Sequence, residues 1–118
     1  MSVAGPAALL VAKVHKIAER ADTTGRTVDK DALDVFRLLR AIPLEEMARG
    51  MRRLLASDLA GDVTREAIEL ADGLLGQPDD IGPRMASRAV GGLEDPDVIA
   101  ASLAALYTDV TNELRQPP

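Results

Sequence analysis

The sequence predicts an all-α fold, a compact bundle of about six helices that forms a single domain over residues 1–118. Apolar side chains recur at helical spacing along almost the whole chain, and no segment shows the alternation of a half-buried strand. Hydrophobic residues make up 47% of the chain, which excludes general disorder, and the only aromatic residues are Phe36 and Tyr107. We therefore expect an aliphatic core of leucine, isoleucine, valine, methionine and alanine side chains.

The six predicted helices span approximately residues 6–22, 29–42, 43–57, 63–75, 83–90 and 96–115. Pro6 suits the first turn of the first helix, because a proline there loses no hydrogen bond, and a polar loop ends this helix near Asp22. The second helix begins at about Asp29, a favourable N-cap residue, and ends before Pro43, where the third helix begins. The core-facing side chains expected in these helices are Leu10, Val14, Ile17, Ala21, Ala32, Val35, Phe36, Leu39, Ile42, Leu44, Met47, Ala48, Met51, Leu54 and Leu55.

Glycine and proline residues mark the boundaries of the last three helices. Gly76 follows the fourth helix as a C-terminal stop, and the pair Gly91 and Gly92 ends the short fifth helix. Asp95 followed by Pro96 is typical of an N-cap and the first helical position, so the sixth helix should start there. The side chains expected to face the core are Val63, Ala67, Leu70, Ala71, Leu74, Ile99, Leu103, Leu106, Val110 and Leu114.

The composition excludes several classes of functional site. Without cysteine the chain has no disulfide, thiolate metal site or cysteine nucleophile, and with His15 as its single histidine it cannot build a poly-histidine metal centre. No P-loop, dinucleotide-binding, Gly-x-Ser-x-Gly or His-Glu-x-x-His motif occurs. No apolar run approaches the ~18 residues of a membrane span, and no basic segment precedes the N-terminal apolar run as in a signal peptide. We therefore expect a soluble, cytoplasmic protein.

Charge is distributed unevenly between the two halves of the chain. Residues 1–57 carry a net charge of +3 and residues 58–118 a net charge of −8, and all three lysines lie among the first 30 residues. A nucleic acid or a triphosphate would prefer the first half for this reason. Two ordinary solvated faces explain the asymmetry equally well, and no further feature supports nucleic-acid binding.

Two aspartates break the apolar pattern of the second helix. At 100° per residue Asp31 falls inside the apolar sector and Asp34 at its margin. A carboxylate buried there is unfavourable unless a charged or hydrogen-bonding group meets it. Alternatively, an aspartate in the first turn of a helix stays hydrated and interacts favourably with the helix dipole.

The first helix places two cations within reach of these aspartates. Lys13 lies at the edge of its apolar stripe, and Arg20 lies nearly on the same line two turns later. A short loop joins the two helices, which should therefore pack antiparallel, so that an extended lysine side chain reaches Asp31 or Asp34. We expect an ion pair here at the edge of the core. It is either a structural ion pair or half of a ligand site, and the geometry leaves both open.

Other polar residues are interpreted as structural. His15 lies at the opposite margin of the first helix, where a role as ligand or base is the less favoured alternative. A basic patch on the third helix is best explained as a solvated face, and a pair of acidic residues in the loop after the fourth helix as turn or N-cap chemistry rather than a metal site. These residues are Arg49, Arg52, Arg53, Asp79 and Asp80.

Two segments resemble a known family. Residues 6–20 read Pro-Ala-Ala-Leu-Leu-Val-Ala-Lys-Val-His-Lys-Ile-Ala-Glu-Arg, and residues 30–39 read Lys-Asp-Ala-Leu-Asp-Val-Phe-Arg-Leu-Leu. They are similar to the start of the helical C-terminal half of AbiEii-type nucleotidyltransferases, the toxin-like proteins of abortive-infection and type IV toxin–antitoxin systems. That half reads approximately Leu-Leu-x-x-Lys-Leu-x-Ala-Leu-x-x-Arg, a loop, and then Arg-Asp-x-x-Asp-Leu.

The resemblance implies a nucleotide cleft shared between two domains. In the family, an N-terminal domain carries Gly-Ser and Asp-x-Asp, which hold Mg²⁺ and the nucleotide. By match to the motif, Lys13 is the lysine expected to meet the triphosphate, Asp31 the aspartate near the same cleft and Asp34 the second aspartate, while Arg20 matches the motif's arginine. This chain departs from the pattern because Lys30 replaces the arginine before Asp31 and no Gly-Ser pair followed by Asp-x-Asp occurs.

Two functions follow as hypotheses. In the first, the chain is the helical domain or remnant of a nucleotidyltransferase-like protein, with no catalytic residue, metal or cofactor of its own. Mg²⁺ and a nucleoside triphosphate are then expected only together with the missing nucleotidyltransferase domain. In the second, the chain is a non-enzymatic helical interaction module that binds a protein partner or a second copy of itself.

Overall fold

The computed structural model describes residues 5–21, 26–92 and 94–116. These residues contain six helices and no strand. They are α1 (Gly5–Glu19), α2 (Arg26–Ala41), α3 (Leu44–Ala56), α4 (Gly61–Leu75), α5 (Ile81–Val90) and α6 (Pro96–Arg115). The predicted all-α fold class is confirmed. No helix within these ranges has the length and apolar character needed to cross a membrane.

Helix α2 lies between α1 and α5 and packs against both of them. Helix α1 also packs on α3 and α4, and α5 also packs on α4 and α6. The core that these helices enclose is aliphatic, as predicted, and both aromatic residues are buried in it. Its largest fully buried apolar side chains are Ile17, Val35, Met47, Leu75, Met85 and Leu103.

Small side chains allow two pairs of helices to approach closely. At Gly50 in α3, an added Cβ would lie 2.9 Å from the Cβ of Ala7 in α1. At Gly82 in α5, an added Cβ would lie 2.8 Å from the carbonyl oxygen of Leu74 in α4 and 2.3 Å from a methyl group of Leu75. Glycine is therefore required at both positions for the helices to pack as they do.

Two predicted boundary signals act as expected. Asp95 is the N-cap of α6, where its carboxylate accepts a hydrogen bond from the amide of Asp97 at 2.9 Å, and Pro96 occupies the first turn. Gly91 ends α5 in the left-handed conformation, with φ of 72°.

The boundary between the first two helices differs from the prediction. Helix α1 ends at Glu19 rather than near Asp22, because the next two amide groups donate to carbonyls three residues back and so tighten the last turn. Asp22 itself lies outside the described residues. Helix α2 begins at Arg26, three residues before Asp29. The expected N-cap role of Asp29 is wrong, because its carboxylate instead pairs with Arg88.

The middle helices also differ from their predicted limits. Helix α3 is one residue shorter at each end, and α4 starts two residues early, at Gly61. There the Ser57 hydroxyl accepts hydrogen bonds from the two amide groups that precede the helix and forms the turn that starts it. Helix α5 also starts two residues early, at Ile81, with Asp80 as its N-cap and Pro83 buried within its first turn.

Two residues expected to face the core are exposed instead. Val63 is 51% exposed, and the adjacent Thr64 is buried in its place, on the same face as Ala67 and Ala71. Leu44, the first residue of α3, is 38% exposed. In both cases the error comes from the end of a helix, where the apolar pattern has too few residues to fix the rotation about the axis.

Candidate functional site

The four candidate residues Lys13, Arg20, Asp31 and Asp34 lie together where α1 packs on α2. The Lys13 ammonium donates hydrogen bonds to Asp31 Oδ1 at 2.9 Å and to Asp34 Oδ2 at 3.0 Å. The Arg20 guanidinium lies 3.8 Å from the other carboxylate oxygen of Asp31. The predicted ion pair between the two helices is therefore present, and Lys13 engages both aspartates rather than one.

This cluster, called the Lys13 cluster below, is half sheltered from solvent. Asp31 has 10% of its side chain exposed and Lys13 18%, whereas Asp34 and Arg20 are more open. The alternative of a hydrated Asp31 is thus wrong, because the packing of α1 covers this side of α2. The hydrogen bonds to Asp31 and then Asp34 raise the pKa of Lys13, although its burial acts in the opposite direction.

The contacts of Lys13 limit what the cluster can bind. An ammonium group has three N–H donors, and Asp31 and Asp34 accept two of them. One donor is left for an anionic oxygen. The two carboxylates share one ammonium and do not fit a magnesium site. Nor does the described part of the chain contain a group of three or more histidine and acidic residues able to hold a metal.

A second ion pair lies on the opposite side of α2. Asp29 is 8% exposed, and its two carboxylate oxygens accept hydrogen bonds from Arg88 Nε at 3.2 Å and Arg88 Nη2 at 3.0 Å. The sequence analysis missed this pair because 59 residues separate its members. An available signal was the angular position of Asp29, which falls close to the apolar side chain of Leu33.

Tyr107 forms another buried polar contact that the sequence analysis missed. Its hydroxyl donates to Asp72 Oδ1 at 2.6 Å and lies 3.3 Å from the carbonyl oxygen of Ile68. Burial raises the pKa of the phenol first of all, and the hydrogen bond to Asp72 raises it further. Tyr107 therefore stays protonated and joins α6 to α4 as a structural contact.

An open apolar groove runs between α2 and α6. It has a volume of about 500 Å³, and its apolar walls include Phe36 and Leu106 together with Val98, which is 58% exposed. The charged residues Arg40, Glu94 and Asp109 also line the groove, and the Arg40 guanidinium lies 5.1 Å from the centre of the Phe36 ring.

The other polar residues considered from the sequence make contacts between helices or within a turn. His15 Nε2 lies 3.2 Å from the carbonyl oxygen of Val63, so this ring links α1 to α4. Arg52 of the basic patch donates to the carbonyl oxygen of Glu113 at 2.6 Å and so joins α3 to the end of α6. Asp79 pairs with Arg84, and Asp80 accepts from the amide of Gln77, which is turn chemistry; Asp80 occupies the N-cap position of α5 but its carboxylate does not cap the helix.

No family model matches the chain, and no significant match was found among curated proteins or solved structures. The resemblance to AbiEii-type nucleotidyltransferases depends on the two segments quoted from the sequence and stays a prediction.

Proposed function

We propose that this chain is a helical domain of a nucleotidyltransferase-like protein and forms one wall of a nucleotide cleft. The Lys13 cluster lies in that wall, and a nucleotidyltransferase domain outside these 118 residues supplies the opposite wall. That second domain also supplies the metal-binding carboxylates, so this chain alone is catalytically incomplete.

The observation that carries the proposal is the fixed position of Lys13. Its ammonium is held by Asp31 and Asp34 on α2, while 18% of the side chain stays exposed and one N–H donor is free for a phosphate oxygen. A positioned lysine contributes a point charge to a phosphate without needing a planar arrangement of donors. The surplus of positive charge in residues 1–57 favours the same ligand.

Nuclear magnetic resonance titration of the ¹⁵N-labelled chain with nucleoside triphosphates tests the proposal. We expect the amide resonances around Lys13, Asp31 and Asp34 to shift on addition of nucleotide. The Lys13→Ala variant should lose these shifts. Lys16→Ala is the matched control, since Lys16 lies on the exposed side of α1 and makes no ion pair within the described part of the chain. Shifts that are absent, or that persist in Lys13→Ala, would remove Lys13 from any nucleotide site.

A second candidate function is a non-enzymatic interaction module, which the groove between α2 and α6 favours. Val98 is 58% exposed at this groove beside the apolar walls formed by Phe36 and Leu106. Apolar surface of this kind is typical of contacts with another protein or a second copy of the chain. Sedimentation equilibrium tests whether the partner is a second copy of the chain. A concentration-dependent dimer that Val98→Asp abolishes supports self-association, and a monomer at all concentrations excludes it.

A further inference from the structure

A second groove, between α2 and α5, has three cationic side chains among its lining residues. It has a volume of about 440 Å³, within the range of small-molecule sites. Lys30 and Arg37 line it from α2, and Arg88 lines it from α5 beside its partner Asp29. The remaining lining residues are Leu33, Ala89 and Gly91.

The charges around this groove do not cancel. Three cations and one carboxylate leave a surplus of +2, in a protein whose formal net charge is −5. Lys30 and Arg37 are exposed and make no ion pair with any residue in the described ranges. In the Lys13 cluster, by contrast, two cations meet two carboxylates and the charges balance. An anion therefore gains more from the groove between α2 and α5 than from the Lys13 cluster.

Asp29 fixes the orientation of Arg88. The buried carboxylate accepts from two of the five guanidinium N–H groups, and the other three are left for a ligand on the exposed half of the side chain. A guanidinium held in this way is preorganised, so less conformational freedom is lost when it binds a second oxyanion. Phosphate groups present oxygens at the spacing that suits such a planar donor.

We propose that the groove formed by Lys30, Arg37 and Arg88 is a binding site for a small phosphate-bearing anion of the oligophosphate class, such as the phosphate chain of a nucleotide. This site is separate from the Lys13 cluster, so the inference does not rest on the function proposed above. Asp29 is a positioning residue in it, since it contacts Arg88 and orients that side chain.

Calorimetric titration with inorganic triphosphate at low ionic strength tests the site. The variants Lys30→Gln and Arg37→Gln suit this test because both side chains are exposed and their loss leaves no buried group unpaired. We expect each to weaken binding about threefold to fivefold and the double variant about tenfold or more. Arg65→Gln is the matched control, because it removes one positive charge from α4 outside the groove and should leave affinity unchanged.

The proposal is overturned if triphosphate does not bind, if Arg65→Gln weakens binding equally, or if the double variant keeps full affinity. In the nuclear magnetic resonance titration, amide shifts confined to Lys13 and its partners would place the anion in the Lys13 cluster. That result would support the proposed function and reject the groove between α2 and α5 as the site. ATP measured in the same way identifies the source of the phosphate. Equal affinities for ATP and triphosphate indicate that the phosphate chain suffices, and tighter binding of ATP indicates a nucleotide. Either result supports the site when the double variant weakens binding of that ligand about tenfold or more.

Discussion

Helices α1 and α5 flank α2 on opposite sides, and each is joined to it by an ion pair of a different kind. On the α1 side, one lysine is shared between Asp31 and Asp34. On the α5 side, Arg88 binds the single carboxylate of Asp29 with two parallel hydrogen bonds. Asp29 and Asp31 are two residues apart and therefore point to opposite sides of the helix, which lets α2 bind both neighbours.

The comparison shows that two ion pairs on one helix can leave very different net charges around them. In the Lys13 cluster two cations meet two carboxylates, so the charges hold α1 on α2 and only the remaining Lys13 N–H is left for a ligand. The pair of Asp29 and Arg88 lies beside Lys30 and Arg37, and positive charge remains there for a ligand. Local charge balance therefore gives a free anion a stronger attraction to the α5 side of α2 than to the α1 side.

Helices α1 and α5 also differ in how closely they approach a second neighbouring helix. Helix α1 approaches α3 at Gly50, where an added Cβ would meet the Cβ of Ala7. Helix α5 approaches α4 at Gly82, where an added Cβ would meet the backbone carbonyl of Leu74 and the side chain of Leu75. An added Cβ makes two such contacts at Gly82, one of them with a backbone oxygen, and a single contact at Gly50, so α5 should tolerate a larger residue at Gly82 less well than α3 does at Gly50.

The largest effect is expected from Gly82→Ala. The new methyl group would lie 2.8 Å from the Leu74 carbonyl oxygen and 2.3 Å from a methyl group of the fully buried Leu75, so α4 and α5 must separate. We expect the free energy of unfolding to fall by about 3 kcal/mol, near the upper end for overpacked sites. Urea denaturation followed by circular dichroism measures it.

Gly73→Ala is the matched control for this change. Gly73 is an exposed residue within α4, and an added Cβ there meets nothing within 4 Å. The helix propensity of alanine should then raise the free energy of unfolding by up to about 1 kcal/mol. Destabilisation of similar size in both variants would show that the close approach at Gly82 is not responsible.

Lys13→Met should have the next largest effect, and it compares the two ion pairs directly. The change leaves Asp31 and Asp34 without their shared ammonium in a half-sheltered place, for an expected loss of about 2 kcal/mol. Arg88→Met leaves one carboxylate rather than two without its partner, and the Arg88 side chain that is lost is 50% exposed, for an expected loss of about 1 kcal/mol. Thermal unfolding of both variants tests the order. A larger loss in Arg88→Met would mean that the α5 side, not the α1 side, depends more on its ion pair.

The sequence predicted the Lys13 cluster because both of its helices are adjacent in the chain. The angular position of Asp31 within the apolar sector indicated a buried carboxylate, and the short loop restricted the cations that could reach it. The pair of Asp29 and Arg88 could not be found in this way, since it depends on how α5 returns to α2 after 59 residues. Asp29 was also predicted to be an N-cap, so no long-range partner was sought for its carboxylate.

The core was predictable for the same physical reason. Long helices such as α6 repeat the apolar spacing often enough to fix their rotation, and Ile99, Leu103 and Val110 are buried as expected. At the start of α4 the pattern is too short, and Val63 was placed inward in error. The close approaches at Gly50 and Gly82 carry no signal in the sequence, because a glycine within a helix looks the same whether it is covered or exposed.

Gly50→Ala should have a smaller effect than Gly82→Ala and so sharpens the comparison of α1 with α5. The added Cβ would lie 2.9 Å from the Cβ of Ala7, which requires a small shift of α1 against α3. Overpacking is opposed by the gain in helix propensity, so we expect a net loss of only about 1 kcal/mol. Chemical denaturation of Gly50→Ala, Ala7→Gly and the double variant tests this. Ala7→Gly removes the opposing Cβ but lowers helix propensity itself, so the double variant should be more stable than the sum of the two single changes predicts. Strictly additive changes would reject the contact as the cause of the loss.

The smallest effect is a dependence on pH that only the α1 side should show. The hydrogen bonds to Asp31 and Asp34 raise the pKa of Lys13 above its ordinary value of 10.5, so folding favours the charged form of this lysine. The stability that Lys13 contributes is therefore complete below pH 10.5 and is lost as the pH rises through its pKa in the folded protein.

The measurement is the difference in free energy of unfolding between the wild-type chain and Lys13→Met, taken from neutral to alkaline pH. This difference should stay constant up to about pH 10 and decrease above it. The raised pKa of Tyr107 also lowers stability at high pH, but it does so equally in both proteins and cancels. Lys16→Met should show no such trend, because it removes the same charge from α1 without removing a contact to either aspartate. A difference that persists at the highest pH would mean that the lysine stabilises the helix pair through the packing of its aliphatic chain. In that case the charge of Lys13 would not be what holds α1 on α2.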